Sequence, residues 1–238
     1  MNIIISLFIA VGLSYLFSNQ IKKYNKYIYI WVATLSMMAI IHAILILNSY
    51  SIHYVSVLKW LMKAIDSGAM GGAFFILVMY MGVFDMRMIY ARKLRTIRAE
   101  LSIIACIITI PHNIHYLFAF ILNMKNIVSG RDISLWLNLM MFASGIFAIG
   151  IMIPLFITSF TLIRKKMNGK AWKNLQEFAY IFYAMIFVQI IMVYLSKPSS
   201  LARNLNLIFY ILLFSTYTVL KLKIILEKRR NRALVQSR

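Results

Sequence analysis

Residues 155–196 read LFITSFTLIRKKMNGKAWKNLQEFAYIFYAMIFVQIIMVYLS, and this stretch decides how the rest of the chain is organised. It contains the end of one apolar run, a strongly basic connection, and a second apolar run that opens at Trp172. Two long apolar runs separated by a few cations are typical of two membrane-crossing helices joined by a loop. The second run carries two glutamines, Gln176 and Gln189, and their roles decide the functional interpretation.

The whole chain has the composition of a membrane protein. Of its 238 residues, 62% are hydrophobic, and the mean hydropathy is +0.80, whereas soluble domains are roughly 45–50% apolar. Several runs exceed the ~18 apolar residues that indicate a membrane span. These runs are continuous, unlike the short alternating segments of a β-barrel. The sequence therefore predicts an all-α fold, a polytopic membrane helix bundle.

We predict seven transmembrane helices, which we call spans 1 to 7. They cover residues 1–18, 28–48, 68–84, 99–122, 135–163, 174–196 and 205–226. Residues 55–65 suit either a short helix in the membrane interface or the first turns of span 3, and Asp66 and Ser67 suit a cap or a break. Span 1 has no basic residue before it, so we interpret it as a retained anchor and not as a cleaved signal peptide.

The net charge of +20 predicts topology. The loops after spans 1, 3, 5 and 7, counted together with Lys221 and Lys223 in the last turns of span 7, carry 20 of the 26 Lys and Arg residues. Because basic loops stay in the cytoplasm, the N-terminus is predicted outside and the C-terminus inside, in the inner (cytoplasmic) membrane. The cations lie between apolar spans, which favours contact with the lipid bilayer and no nucleic-acid partner. The single cysteine, Cys106, excludes an internal disulfide and a cysteine-based metal cluster.

Histidines at membrane depth are the most informative polar groups, because burying an ionisable side chain in lipid is expensive. His42, His112 and Gln189 each lie about 13 to 15 residues from the predicted cytoplasmic start of their span. At ~1.5 Å per residue they share one level, roughly 20 Å into the membrane. His115 lies one turn beyond His112 on the same face. Two interpretations stay open: a haem site with paired histidines, or a hydrogen-bonded core cluster.

A set of short motifs within residues 64–197 adds a family resemblance. Ser67-Gly68 opens span 3, Arg98, Leu101, Ser102 and His112 lie along span 4, and Thr158-Ser159, Arg164-Lys165-Lys166, Trp172, Leu175 and Tyr180 surround the connection between spans 5 and 6. With these residues the chain resembles the ferric reductase-like transmembrane domain family, and within it the haem b membrane subunit of the periplasmic methionine sulfoxide reductase system. The resemblance implies a four-helix core at 64–197, flanked by N-terminal helices and an interfacial segment at 1–63 and by span 7 with a basic tail at 198–238.

The resemblance also implies a haem-binding pattern, from which this chain departs. The family pattern has two histidines on span 6, at the positions of Gln176 and Gln189, and a carboxamide is a poor haem ligand. Only His112 remains of the three expected histidines. No glycine-rich nucleotide loop and no Ser/His/Asp signature accompanies it, so the sequence predicts no substrate chemistry of its own, and whether the chain is a component of an oxidoreductase stays open.

Three functional interpretations stay open. In the first, the chain is a membrane electron-transfer subunit with one b-type haem, whose iron lies between His112 or His115 and His42; it would connect a quinol or a cytoplasmic reductase with an extracytoplasmic redox partner. In the second, it binds no haem and acts as a quinone-binding or assembly subunit, with Gln176 and Gln189 donating to a quinone carbonyl or to neighbouring helices. In the third, it is a non-redox membrane transport protein.

Overall fold

The computed structural model describes residues 2–47, 55–129 and 133–236. These residues form eleven helices and no strand, which confirms the predicted all-α class. In chain order the helices are α1 (Asn2–Leu16), α2 (Ser18–Lys23), α3 (Asn25–Leu47), α4 (Ser56–Asp66), α5 (Ala69–Tyr80), α6 (Ile89–Arg95), α7 (Arg98–Ser129), α8 (Ile133–Ser159), α9 (Thr161–Arg164), α10 (Gly169–Leu195) and α11 (Leu201–Gln236).

Within the described residues, five helices are long and apolar enough to cross a membrane, and they correspond to predicted spans 2, 4, 5, 6 and 7. The segments are Asn25–Ile46, Arg98–Leu122, Trp136–Ser159, Gly169–Leu195 and Leu201–Asn231. Helices α4 and α5 together form a sixth candidate, bent by 64°. Helix α1 has 15 residues and rises about 22 Å, less than the ~30 Å of a bilayer core. The prediction of a multi-pass membrane protein is confirmed, while the seventh span and the orientation of the two termini stay predictions.

Several helices differ from their predicted spans at the ends; α8, for example, ends at Ser159, four residues before the predicted end of span 5. Helix α10 begins at Gly169, five residues before the predicted start of span 6. The reason is a side-chain cap, because Asn168 accepts a hydrogen bond from the backbone N–H of Lys170 at 2.9 Å and so satisfies one free donor of the first turn. Helix α11 continues through the polar tail to Gln236. The predicted end of span 2 at Asn48 lies outside the described residues.

The segment before span 3 is a separate helix, not the first turns of that span. Helix α4 ends at Asp66, and the chain turns through Ser67 and Gly68 before α5 begins. The break therefore lies where the Asp-Ser pair suggested it. Helix α5 ends at Tyr80, four residues before the predicted end of span 3 at Phe84, so the apolar helix after the bend is only 12 residues long.

Helix α5 forms the centre of the core. Nine of its 12 residues are buried, because α1 packs along one side and α7 along another. The ring of Phe75 makes an edge-to-face contact with Phe182 of α10, with centroids 4.9 Å apart. The hydroxyl of Tyr80 donates to the carbonyl of Leu213 on α11 at 2.6 Å. The short helix thus holds the surrounding spans in place around both sites described below.

Helices α3 and α7 lie side by side and run in the same direction. The ring of Tyr29, near the start of α3, packs against Phe160 at the end of α8, and the adjoining Ser159 is hydrogen-bonded near the start of α7. Further along, the hydroxyl of Ser36 donates to the carbonyl of Ile107 at 3.0 Å. The two helices therefore start at the same end of the bundle, and a residue of α3 lies level with the residue of α7 that is 71 positions later.

Candidate functional site

A sharp bend between α4 and α5 positions the first histidine. Asp66 is the last residue of α4, and Gly68 has a φ of +74°, a conformation that favours glycine because it has no β-carbon. The end of a helix leaves its last carbonyls without partners inside the helix. The carbonyl of Asp66 instead lies 2.8 Å from Nδ1 of His112 on α7 and is hydrogen-bonded to it.

This hydrogen bond fixes which nitrogen of His112 carries a proton. A carbonyl oxygen can only accept, so Nδ1 is the donor, and in the neutral ring Nε2 keeps its lone pair. Metal-bound histidines usually hold their non-ligating nitrogen in this way, because the bond fixes the tautomer and orients the ring. The imidazole of His112 is therefore arranged to act as a ligand through Nε2.

Two glycines of α5 and its N-terminal turn allow α7 to come this close. A β-carbon at Gly68 would lie 2.9 Å from Nδ1 and Cε1 of His112, and one at Gly71 would overlap the side chain of Thr109 one turn earlier on α7. Tyr116 covers the ring from its own helix, with ring centroids 4.6 Å apart. Small residues at helix crossings are the usual way for backbones to approach in lipid, and here they bring the His112 ring against the bend.

His115 meets the same aspartate through a different oxygen. Its Nδ1 lies 3.3 Å from Oδ1 of Asp66, and both side chains are partly buried. His112 and His115 thus project from neighbouring turns of one helix towards one residue. Because both project from one face of α7, only one of the two would hold a haem iron together with a residue of another helix. We call Asp66, Gly68, His112, His115 and Tyr116 the elbow site.

His42 lies on α3 close to the level of the elbow site. The 71-residue offset between α3 and α7 puts it one residue beyond the level of His112. The face of α3 that packs on α7 carries the small buried side chains of Ser36, Ala39 and Ala43. His42 is partly buried and lies about 120° around the helix from Ser36. His42 therefore lies close to the level of His112, on the side of α3 next to its closely packed interface with α7.

The two glutamines of α10 are directed towards α8. The amide nitrogen of Gln176 donates to the hydroxyl of Thr158 at 3.3 Å. The amide nitrogen of Gln189 lies 3.5 Å from the carbonyl of Met141, over Gly145, where an added β-carbon would lie only 2.6 Å from it. Within the described part of the chain, neither glutamine is hydrogen-bonded to a histidine, so the predicted site residues fall into separate groups.

A second site lies elsewhere between the spans. A cavity of about 430 Å³ separates α7 from α10, and α5 and α8 close its sides. Its walls include Ser102 and Cys106 of α7 and Gln176 and Phe182 of α10, while one carboxylate, that of Glu100, also lines it. Four cationic side chains line the cavity as well: Lys22, Arg95, Arg98 and Arg164. We call this space, with the lining residues just named, the basic cavity.

Comparison with known proteins identifies the family. A model of the family described as ferric reductase like transmembrane component matches residues 67–187, which is just over half of the chain. The chain belongs to the ferric reductase-like transmembrane family. An uncharacterized protein of Treponema pallidum (strain Nichols) is 28% identical over 215 residues, which cover 89% of this chain and 57% of the relative. The chain thus spans little more than half the length of that curated relative. No solved structure matches it.

Both sites lie largely inside the matched segment of this ferric reductase-like chain. The segment begins at Ser67 in the bend and includes His112, His115 and Gln176, and it ends two residues before Gln189. His42 lies outside it. The match therefore shows the family, while the four-helix core at 64–197 stays a prediction and the assignment of individual histidines belongs to the proposals below.

Two residues of these sites were missed as functional residues in the sequence. Asp66 was interpreted only as a helix cap or a break, yet it contacts both His112 and His115. Its signal was its rarity, since the chain has only 6 acidic residues, and one of them precedes a Ser-Gly pair at a membrane span. Arg98 was interpreted as a topology determinant and a motif residue, and only the packing of α7 against its neighbours places it on a cavity.

Proposed function

We propose that this protein is a membrane electron-transfer subunit of the ferric reductase-like family and that it carries one b-type haem at the elbow site. The observation that carries the proposal is the hydrogen bond from Nδ1 of His112 to the carbonyl of Asp66. This bond leaves Nε2 with a free electron pair, and the ring is held against Gly68. A histidine that binds haem iron has to meet both conditions.

The residues present fit one axial ligand of a haem well. His112 would hold the iron, and His42, close to the same level on the neighbouring α3, would supply the second position. His115 would remain with the Asp66 carboxylate, because it shares the helix face of His112. When bound, haem b supplies a one-electron redox couple, whose potential depends on its axial ligands, its hydrogen bonds and its burial.

The other residues of the site would tune and protect this ligand. The carbonyl of Asp66 would increase the basicity of the His112 ring by accepting a hydrogen bond from its Nδ1–H, as carbonyl and carboxylate partners do for metal-bound histidines. Tyr116 packs against the ring and covers it. The negative charge of the Asp66 carboxylate, 3.3 Å from His115, would stabilise the oxidised, more positive state of a nearby metal centre.

We further propose the arrangement that the charge distribution favours. Helix α1 would be a seventh span together with the start of α2, the N-terminus would lie outside, and the basic loops would face the cytoplasm of a cell whose inner membrane holds the protein. A quinol or a cytoplasmic reductase would supply the electron, and an extracytoplasmic redox partner would accept it. The resemblance to the haem b subunit of the methionine sulfoxide reductase system supports this direction of electron transfer.

Visible spectra test the proposal. The full chain would be expressed with haem supplied, purified in detergent, and examined as a reduced-minus-oxidised difference spectrum. We expect a b-type spectrum that is lost in His112→Ala and kept in His115→Ala, its matched control one turn away. His42→Ala should keep the haem but change the spectrum to that of iron with one nitrogen ligand. A colourless wild type that is well folded by size-exclusion chromatography would contradict the proposal.

One observation favours a second candidate function, a haem-less subunit that acts by assembly with partners. The amide nitrogens of Gln176 and Gln189 already contact Thr158 and Met141 of α8, as side chains that hold helices together do. The quinone version of this alternative would require the amide of Gln176 to turn from Thr158 towards the basic cavity. A colourless protein whose unfolding temperature rises with an added quinone would support that version, and one that responds to no quinone would leave the assembly role.

A further inference from the structure

The basic cavity combines an apolar interior with an excess of positive charge. Phe75 and Met79 of α5, Met152 and Leu155 of α8, and Cys106 and Phe182 of α7 and α10 give it apolar walls. Its volume of about 430 Å³ lies within the ~300–1,000 Å³ that is usual for small-molecule sites. The space is thus large enough for an apolar group and open to the basic end of the bundle.

The cations of this cavity have little negative charge beside them. Lys22, Arg95, Arg98 and Arg164 line the cavity, and Glu100 is the one carboxylate among its lining residues. None of these four cations forms an ion pair within the described residues, where the pair between His115 and Asp66 is the one found. Like charges gathered at a low-dielectric surface repel one another and attract an anion.

A buried donor adds a second polar feature. Tyr183 of α10 lines the cavity and is only 4% exposed. Its hydroxyl has no hydrogen-bond partner in the part of the chain that the structure describes. An unsatisfied buried hydroxyl costs stability unless an acceptor reaches it. A carbonyl or ester oxygen of a bound molecule is an acceptor of the required kind.

We propose that the basic cavity binds an anionic amphiphile, a molecule with a negatively charged head group and an apolar body. The head group lies among the four cations, with Arg98 as its main contact because this side chain is partly buried. The apolar body lies between α7 and α10 against Phe75, Cys106 and Phe182. This inference does not depend on haem at the elbow site, which lies further along α7, at His112 and His115.

The side chains of the cavity argue against haem as its occupant. Its lining includes no imidazole, and Gln176, at the position where the resembling family has a histidine, bonds to Thr158. The sulfur atoms on the lining, in the thiol of Cys106 and the thioethers of Met79 and Met152, belong to its apolar walls. The chemistry that the polar side chains favour is recognition of negative charge beside apolar surface.

Ligand-induced stabilisation in detergent tests the inference. The full chain would be titrated with phosphatidylglycerol, oleate, phosphatidylcholine and inorganic phosphate, and the unfolding temperature would be followed. We expect stabilisation by phosphatidylglycerol, by oleate or by both, and none by phosphatidylcholine or phosphate, because binding needs charge and an apolar body together. Response to phosphatidylglycerol alone identifies a membrane phospholipid as the source, and response to oleate alone identifies a free carboxylate.

Two substitutions sharpen the test. Arg98→Gln should weaken the apparent affinity about tenfold or more, since a charge-assisted hydrogen bond is worth about 1.5–3 kcal/mol and 1.4 kcal/mol is tenfold. Arg92→Gln is the matched control, because Arg92 is exposed and does not line the cavity. If Arg98→Gln fails to fold, Ala179→Phe is the second variant, because its ring would fill the basic cavity from α10 and should weaken binding of the amphiphile. Equal stabilisation by phosphatidylcholine, equal affinities of the two arginine variants, or a haem spectrum lost in Gln176→Ala would each overturn the inference.

Discussion

The elbow site and the basic cavity show two ways in which one membrane bundle treats buried polar groups. At the elbow site, the bend between α4 and α5 supplies an oxygen atom to each histidine: His112 is hydrogen-bonded to the carbonyl of Asp66, and Nδ1 of His115 lies 3.3 Å from the Asp66 carboxylate. At the basic cavity, four cations face one carboxylate, and the hydroxyl of Tyr183 has no partner in the described residues. The first site is already organised around a fixed side chain, while the second lacks the groups that would complete it.

This difference predicts which substitutions should change the free energy of unfolding of the ligand-free protein. A tightly packed site loses free energy when one of its members changes, because interiors are close-packed and respond to single atoms. Substitutions at a site whose charges lack a partner should change the free energy of unfolding little until a ligand is bound. The predictions below test this contrast, beginning with the elbow site.

The largest effect is expected for Gly68→Ala. The residue has a φ of +74°, and its new β-carbon would lie 2.9 Å from the His112 ring. The left-handed backbone alone costs roughly 1–2 kcal/mol for a residue other than glycine, and displacement of the ring adds to it. The measurement is the unfolding midpoint in detergent.

Gly72→Ala is the matched control for this substitution. It lies in α5, and an added β-carbon there meets nothing within 4 Å. Replacing an unstrained glycine raises the free energy of unfolding by about 0.4–1 kcal/mol, so this variant should be slightly stabilised. If both variants unfold at the same midpoint, the elbow is not the rigid support that we describe.

The next effect is expected one turn deeper, at Gly71→Ala. The added β-carbon would overlap the hydroxyl oxygen of Thr109 on α7, and overpacking of this kind costs about 1–3 kcal/mol. The double variant Gly71→Ala/Thr109→Ala should recover most of the loss, because the nearest overlapping atom is gone. A double-mutant cycle measures this coupling; additive losses would mean that α5 and α7 do not meet as described.

A smaller effect is expected at Gly145, which lies against Gln189. A β-carbon at Gly145 would lie 2.6 Å from its amide nitrogen, but this atom is the end of a flexible side chain with a long contact of 3.5 Å to Met141. Gly145→Ala should therefore change the free energy of unfolding by less than about 1 kcal/mol. Gly150→Ala, with nothing within 4 Å of its added β-carbon, is the reference. A loss as large as that at Gly68 would make Gln189 part of a tightly packed site.

The smallest effect is expected at the rim of the basic cavity. Arg95 is exposed and lines the cavity, so Arg95→Gln should change the stability of the ligand-free protein by no more than about 0.5 kcal/mol. Removing one of four neighbouring cations should make any change slightly favourable. A loss above 1.5 kcal/mol in the absence of amphiphile would mean that Arg95 already has a partner, and the contrast between the two sites would fail.

The sequence predicted the membrane spans better than the sites, for physical reasons that individual residues make clear. Long apolar runs predict helices without knowledge of their neighbours, and Asp66-Ser67 marked the break before α5. The shortness of α5 was not predictable, because an apolar turn and an apolar helix look alike in composition. The pairing of Asp66 with His112 joins residues 46 positions apart, and the basic cavity needs four helices at once, so neither has a signal in a single segment.

The predicted roles of the glutamines illustrate the same limit. The family resemblance placed Gln176 and Gln189 at positions where its pattern has histidines, and their amides were expected to donate to a quinone carbonyl or to neighbouring helices. Their contacts with Thr158 and Met141 follow from the close packing of α8 on α10. A pattern along one helix cannot specify which neighbouring helix a polar side chain will face, since that depends on the rotation of the helix in the bundle.

The number of haem b groups per chain tests the central proposal most directly. The full chain, expressed with haem supplied and purified in detergent, would be assayed by the pyridine haemochrome method against protein concentration. We predict one haem b per chain in the wild type and in Gln176→Ala, and close to none in His112→Ala. A well-folded wild type with no haem would contradict the electron-transfer role, and two haems per chain would contradict the distinction between the elbow site and the basic cavity.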